Sequence, residues 1–225
     1  MSRMDYFKAL LGWMAVLPGV VRNCEWFAPV QKRFAPSGRE LRLTIDDGPE
    51  PLQTPQVLDV LAREGVKADF FVVGKKAASH PDLCRRMHEE GHRVQNHTFT
   101  HPSASFWAAG FPRAMREISQ CSAVIQEITG LAPQQFRAPV GMANPFVHLA
   151  AQRLGLEMCG WSVSAHDGLR HDPSYVVAKI ARASTPGDIL LLHESHLRGM
   201  RRGERACTLQ ELLATLKRNG FSFTV

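Results

Sequence analysis

The chain reads as an α/β protein, a single-domain distorted (β/α) barrel of about seven strands, on three observations. Beyond residue 38, runs of strand character alternate with runs of helical periodicity to the C-terminus. Capping residues and glycines punctuate the helical runs. No G-x-G-x-x-G turn follows any strand. Alternation within one domain requires a largely parallel sheet, and the missing dinucleotide turn favours a barrel over a nucleotide-binding fold.

The elements follow in order. Leu41–Ile45 is an apolar run of strand length, and Pro55–Arg63 then carries apolar residues three and four apart. Asp69–Val73 is the next strand, Pro81–Glu90 the next helix, and Arg93–Asn96 the third strand. Arg113–Ile128 is predicted helical, Gln135–Arg137 a short strand, and Pro145–Leu154 a helix. Leu156–Trp161, Pro173–Ala183, Asp188–Leu192, Leu209–Arg218 and Phe221–Val225 complete the alternation. Asn144-Pro145 and Asp172-Pro173 each read as an N-cap followed by a first-turn proline. Gly91, Gly130 and Gly220 stand where helices should close.

A chain of 225 residues, 44% hydrophobic, can bury one sizeable core and is short for two. The division expected is an N-terminal apolar segment, residues 1–38, followed by the barrel, 39–225. The formal charge of +6 favours anionic partners such as phosphates, acidic glycans or a membrane surface. The basic cluster Arg198, Arg201, Arg202 and Arg205 has no aromatic residues to stack on bases, so nucleic acid is not expected. Five cysteines are scattered singly, a pattern of reduced thiols that points to the cytoplasm.

Ala9–Val21 is uncharged and largely apolar, yet shorter than the about 20 residues that span a bilayer. One reading packs it on the barrel. The other makes residues 1–30 a peripheral anchor at the cytoplasmic membrane face, with Trp13, Trp26 and Phe27 at headgroup level and Arg3, Lys8 and Arg22 facing acidic lipid. Secretion by an uncleaved or atypical signal is a third course, since no small-x-small cleavage site follows.

Polar clusters fall where strands end, and that is where parallel β/α architectures gather their chemistry. Thr44-Ile45-Asp46-Asp47-Gly48-Pro49 ends the first strand with adjacent carboxylates that repel unless a cation holds them ionised. A solvated turn is the plainer reading of the same residues. His97 and His101 follow the third strand, and a spacing of four brings two imidazoles together over one helical turn. One Asp and two His leave positions open for water and substrate, as a catalytic metal site requires. Arg137 ends the short strand and can hold a neighbouring carboxylate ionised. Trp161–Asp167 follows a strand and offers Asp167, while Ile189–His193 ends in a histidine placed to donate a proton. Singly, these are also a surface ion pair, a turn residue and a core histidine.

Together these segments resemble the polysaccharide deacetylase family, carbohydrate esterase family four. Its pattern is T-F-D-D-G-P, H-[ST]-x-x-H, R-x-P-[YW], D-x-x-D-W and L-x-x-H. Here the counterparts are Thr44–Pro49, His97–His101, Arg137–Val140, Ser164–Gly168 and Leu190–His193. The resemblance implies that Asp47, His97 and His101 bind a divalent ion, usually Zn2+, with Co2+, Ni2+ or Mn2+ as substitutes. It implies Asp46 as general base tuned by Arg137, and His193 as general acid oriented by Asp167. A backbone N–H, that of Val140, is expected to share the oxyanion with the metal. The implied reaction is hydrolysis of a linear amide, removing N-acetyl from an acetamido sugar of a glycan or glycolipid.

Val140 and Gly168 stand where the pattern has aromatics that wall the sugar, and Ser164 replaces the first Asp of the fourth motif. These departures keep two alternatives open. One is a deformylase or ring-amide hydrolase on the same site, and the other a catalytically silent carbohydrate-binding barrel. With the basic charge and the apolar N-terminus, a lipid-linked acylated amino sugar is the narrower substrate expectation.

Overall fold

The structure is a computed structural model and describes residues 21–25, 27–167, 172–194 and 203–225. Its elements run β1 (Glu40–Asp46), α1 (Thr54–Glu64), β2 (Asp69–Val72), α2 (Gly74–Ser79), α3 (Pro81–Glu89), β3 (Arg93–Asn96), α4 (Phe111–Thr129) and β4 (Gln135–Phe136). They continue with α5 (Pro145–Arg153), β5 (Glu157–Met158), β6 (Val163–Ser164), α6 (Pro173–Ala183), β7 (Ile189–His193), α7 (Glu204–Arg218) and β8 (Ser222–Thr224).

Period-two alternation on β1 sorts the domain into two layers. Leu41, Leu43 and Ile45 join a core with Val57, Leu58 and Leu61 of α1, Ile180 of α6, and Leu212 and Leu216 of α7. Leu190 and Leu192 of β7 belong to the same core. Each fully buried leucine there contributes about 2 kcal/mol of transfer free energy. The intervening residues, Thr44 and Asp46 on β1 and Leu191 and His193 on β7, lie on the opposite face, the concave interior. Polar residues at alternate positions of an otherwise apolar strand therefore converge inside the barrel.

The sheet is parallel, in the order β5-β4-β3-β2-β1-β7-β6, with β8 pairing the first half of β1. Its edge strands β5 and β6 are joined by only the residues from Cys159 to Ser162, so the sheet must curl until its edges approach. The seam is filled from the N-terminal side. Gln31 donates its N–H to Met158 O at 2.8 Å and accepts from Gly160 N at 2.9 Å, while Phe34 N–H bonds Gly187 O at 2.9 Å. The result is a parallel half-barrel clad in helices, the distorted barrel expected from the alternation.

Most predicted elements form, and the capping signals act as expected. Asn144 and Asp172 accept from Val147 N and Tyr175 N, and Gly130 closes α4 at φ +76°. Four elements differ. The strand expected at Leu156–Trp161 is only β5, pairing β4, because Gly160 leaves the ladder to bond Gln31, and β6, which pairs β7 beyond that run, was not expected. A Cβ at Gly160 would lie 2.7 Å from Asn23 Oδ1, so the close approach of the N-terminal segment breaks the strand there. The short helix α2 was not predicted: of its side chains only Ala77 is a buried apolar one, too little for a periodic signal. Helix α7 begins at Glu204, five residues before the expected Leu209, because its first turn is polar.

The basic positions Arg198, Arg201 and Arg202 lie outside the described residues, as do Gly168 and, in the expected N-terminal anchor, Arg3, Lys8, Trp13 and Trp26. Among the described residues no helix is long and apolar enough to cross a membrane.

Candidate active site

The register of β1 against β7 pairs Asp46 with His193. Neighbouring strands lie about 4.8 Å apart, so two inward-facing residues in register stand side by side. A cavity of about 60 Å3 opens over them, lined by Asp46, Asp47, His97, His101, Val140, Gly141, Trp161, Leu191 and His193.

Asp47 follows β1 at φ +74°, a left-handed conformation that turns its carboxylate toward His97 and His101. Its Oδ1 lies 3.4 Å from His97 Nε2 and 3.2 Å from His101 Nε2, and the three ligand atoms fall within 4.8 Å of one another. Burial pushes the Asp47 carboxyl up, but the hydrogen bond from His97 and the surrounding imidazoles hold it well below the usual carboxylate range. Burial, helped by His97, lowers His101 to about 4, leaving its imidazole neutral at pH 7. His97 Nδ1 sits 2.8 Å from the Arg137 carbonyl, which can only accept, so Nδ1 carries the proton and Nε2 is free to ligate. An ionised carboxylate and two pre-oriented imidazoles suit a divalent ion such as zinc.

The helical turn expected to join the two histidines is not there; residues 97–101 form a loop. Asn96 Oδ1 takes Thr98 N–H at 2.9 Å, Thr98 Oγ1 takes His101 N–H at 3.1 Å, and Glu117 binds both Thr100 N and Oγ1 at 2.8 Å. These side-chain acceptors replace helical bonds and hold Thr98 and His101 at φ +69° and +53°.

Arg137 lies directly behind Asp46, fully buried, with Nη1 2.6 Å from Asp46 Oδ1 and 2.8 Å from Thr44 Oγ1. Nη2 reaches Gly160 O at 2.7 Å, and the guanidinium lies 4.0 Å over the Phe71 ring. Burial opposes its charge, yet the Asp46 carboxylate keeps it protonated.

His193 is held on the other side. Asp167 Oδ1 meets its Nδ1 at 2.8 Å, and Asp167 Oδ2 accepts its backbone N–H at 2.8 Å. Burial alone would lower His193, but the bond and charge of Asp167, with Asp46 and Asp47, lift it to about 9. Val140 stands at the rim at φ +52°, rare for a β-branched residue. The short 3-10 turn there uses Gly141 N–H and Met142 N–H, while among the described residues no acceptor takes the Val140 N–H.

All of the sequence-predicted site residues therefore converge: five side chains and Val140 around one cavity, with Arg137 behind Asp46 and Asp167 behind His193. Four further residues enter the site through structure alone. Trp161 lines the cavity and supplies an aromatic wall that neither Val140 nor Gly168 can. A Cβ on Gly141 would sit 2.4 Å from the Trp161 ring, so that glycine makes room for it. Arg205 bonds Asp167 Oδ2 at 2.9 Å, and Glu194, wholly buried beside His193, bonds Thr54 Oγ1 at 2.7 Å. Periodicity flags none of these contacts, which join residues far apart in sequence.

The sequence profile described as "Polysaccharide deacetylase" matches residues 35–159. A chitooligosaccharide deacetylase of Bradyrhizobium sp. is 38% identical over 195 residues, 81% of this chain and 87% of that protein. A peptidoglycan-N-acetylglucosamine deacetylase of Listeria monocytogenes is 32% identical across 90% of this chain, which spans only 44% of that longer protein. Among solved structures, a peptidoglycan N-acetylglucosamine deacetylase in complex with an N-oxidanyl-benzamide superposes with a TM-score of 0.78 at 26% identity, covering 86% of this chain and 88% of that one. The fold and the site define a parallel half-barrel hydrolase with three clustered metal-ligand donors. The chain belongs to the polysaccharide deacetylase family, whose members generally depend on a metal.

Proposed function

We propose that this protein hydrolyses the amide of an N-acetylated amino sugar, with Asp46 as general base and His193 as general acid. The observation that carries the reading is the pairing of Asp46–Arg137 on one side of the cavity with Asp167–His193 on the other, above the Asp47, His97 and His101 donors. A divalent ion on those three residues, zinc by the chemistry of the donor set, supplies Lewis acidity toward water and the acyl carbonyl. Asp46 receives the proton of the attacking water, and its contact with Arg137 at 2.6 Å fixes the carboxylate in place to do so. The Val140 N–H donates to the oxygen that gains charge. His193 then gives its proton to the leaving amine, which is too basic to depart as an anion.

A cavity of about 60 Å3 walled by Trp161 and Leu191 has room for a short acyl group. Formyl fits as well as acetyl, so product analysis separates the two. The test is acetate release from N-acetylglucosamine oligomers by metal-loaded protein, abolished by a chelator and restored by zinc. Formate from an N-formyl sugar with no acetate from the N-acetyl one would replace the reading with a deformylase. Stoichiometric zinc without turnover on either would make it a silent barrel.

The substrate we favour is lipid-linked, reached from the cytoplasmic membrane face. Exposed Val21 closes the apolar run Ala9–Val21, exposed Phe27 follows it, and exposed Arg22 suits acidic headgroups. Sedimentation with acidic vesicles should fall when residues 1–30 are removed; equal binding of both forms contradicts this.

A further inference from the structure

Arg205 is the one member of the Arg198–Arg205 cluster among the described residues, and it does not serve the surface. Its side chain is 9% exposed, and it turns inward from the first turn of α7. A cation there opposes the helix dipole, which favours acidic residues at that end. Helix-end electrostatics therefore do not account for an arginine at this position. The guanidinium instead closes on Asp167, with Nη1 2.9 Å from Oδ2 and Nη2 3.3 Å from the backbone carbonyl.

These contacts hold Asp167 from a second element. Oδ1 meets the His193 ring, Oδ2 meets the His193 backbone N–H and Arg205, and the carbonyl oxygen meets Arg205 again. Two donors from β7 and one from α7 fix the carboxylate plane, which sets the direction of the His193 ring, and a second donor from α7 holds the Asp167 carbonyl. Without Arg205 the carboxylate would keep, among the described residues, only donors from the strand it must orient, and it could swing with it. A cavity of about 40 Å3 behind His193, bounded by Leu192 and Leu209, leaves space for that swing.

We propose that Arg205 is a positioning residue for proton donation, acting on the substrate only through Asp167 and His193. This rests on the reading of His193 as general acid, and the test separates the two. In metal-free protein at pH 7, the Nδ1 proton of His193 should give a downfield resonance protected by Asp167. Arg205→Gln should broaden or remove it, whereas Asp46→Asn should leave it. That measurement does not depend on any reaction, and an unchanged resonance in Arg205→Gln overturns the proposal.

Kinetically, Arg205→Gln should lower kcat on N-acetylglucosamine oligomers by roughly ten- to a hundredfold, a range usual for residues that orient an active-site group. KM and zinc content should stay at wild-type values. In an Asp167→Asn background the same substitution should cost nothing further, since the two act as one unit. Losses that multiply, or a raised KM with unchanged kcat, contradict the role. Arg205→Lys keeps the charge without the planar fork and guards against a folding defect in the Gln variant. It should retain a defect of about tenfold; full wild-type kcat in it would overturn the proposal.

Discussion

Asp46 and Arg137 meet at 2.6 Å with side chains only 4% and 1% exposed, a charge pair sealed inside the barrel. Such a pair is expensive to break from one side, because the survivor is left buried and uncompensated. Arg137→Met should destabilise the fold by about 3–5 kcal/mol in chemical denaturation. Arg137→Lys should recover little, since the fork also holds Thr44 Oγ1 and Gly160 O. A loss below about 1 kcal/mol in the Met variant would mean the pair is solvated.

His193 should set an alkaline limit to the reaction. Its proton is lost as pH rises through about 9, so kcat/KM should fall above that pH. Asp167→Asn removes the main partner that lifts His193, and the limb should move to lower pH. Stability follows the same sign. The folded pKa lies above the ordinary 6.5, so His193 contributes stability that is complete below 6.5 and lost as pH passes about 9. A limb that does not move in Asp167→Asn would detach the two residues.

Much of this site was legible in the sequence because strand-end position and residue type carry it. Asp46 and His193 end the two strands whose register makes them neighbours, and each motif marked its own strand end. The loop at 97–101 was less legible: its left-handed residues are held by Asn96 and Glu117, contacts a spacing rule cannot see. Trp161 and Arg205 were hidden for another reason. Each reaches the site from an element whose position depends on how the sheet closes, and local pattern does not encode closure.

Glu194 makes a separate pH prediction. Burial raises it to about 7, with Glu50 adding to the shift against the Thr54 hydrogen bond. The folded state thus holds a proton that the unfolded chain loses near 4.5. Stability should be full below 4.5 and fall by roughly 3 kcal/mol as pH rises to about 7. Glu194→Gln should flatten that slope in denaturation measured across the interval; an identical slope contradicts the assignment.

Gly141 permits the Trp161 wall. At φ +71°, and with a Cβ that would stand 2.4 Å from the ring, Gly141→Ala is strained twice over. It should destabilise by about 1–3 kcal/mol and push Trp161 from the cavity. Discrimination between acetyl and longer acyl substrates should weaken with it, measured as a ratio of kcat/KM. Unchanged discrimination would remove Trp161 from the acyl wall.

The most direct test of the central account is Asp46→Asn assayed with its zinc measured in the same sample. Zinc content should equal wild type, because Asp47, His97 and His101 are untouched, and acetate release should fall by at least ~100-fold, the usual worth of a general base. Acetate release near the wild-type rate from zinc-loaded Asp46→Asn would contradict it.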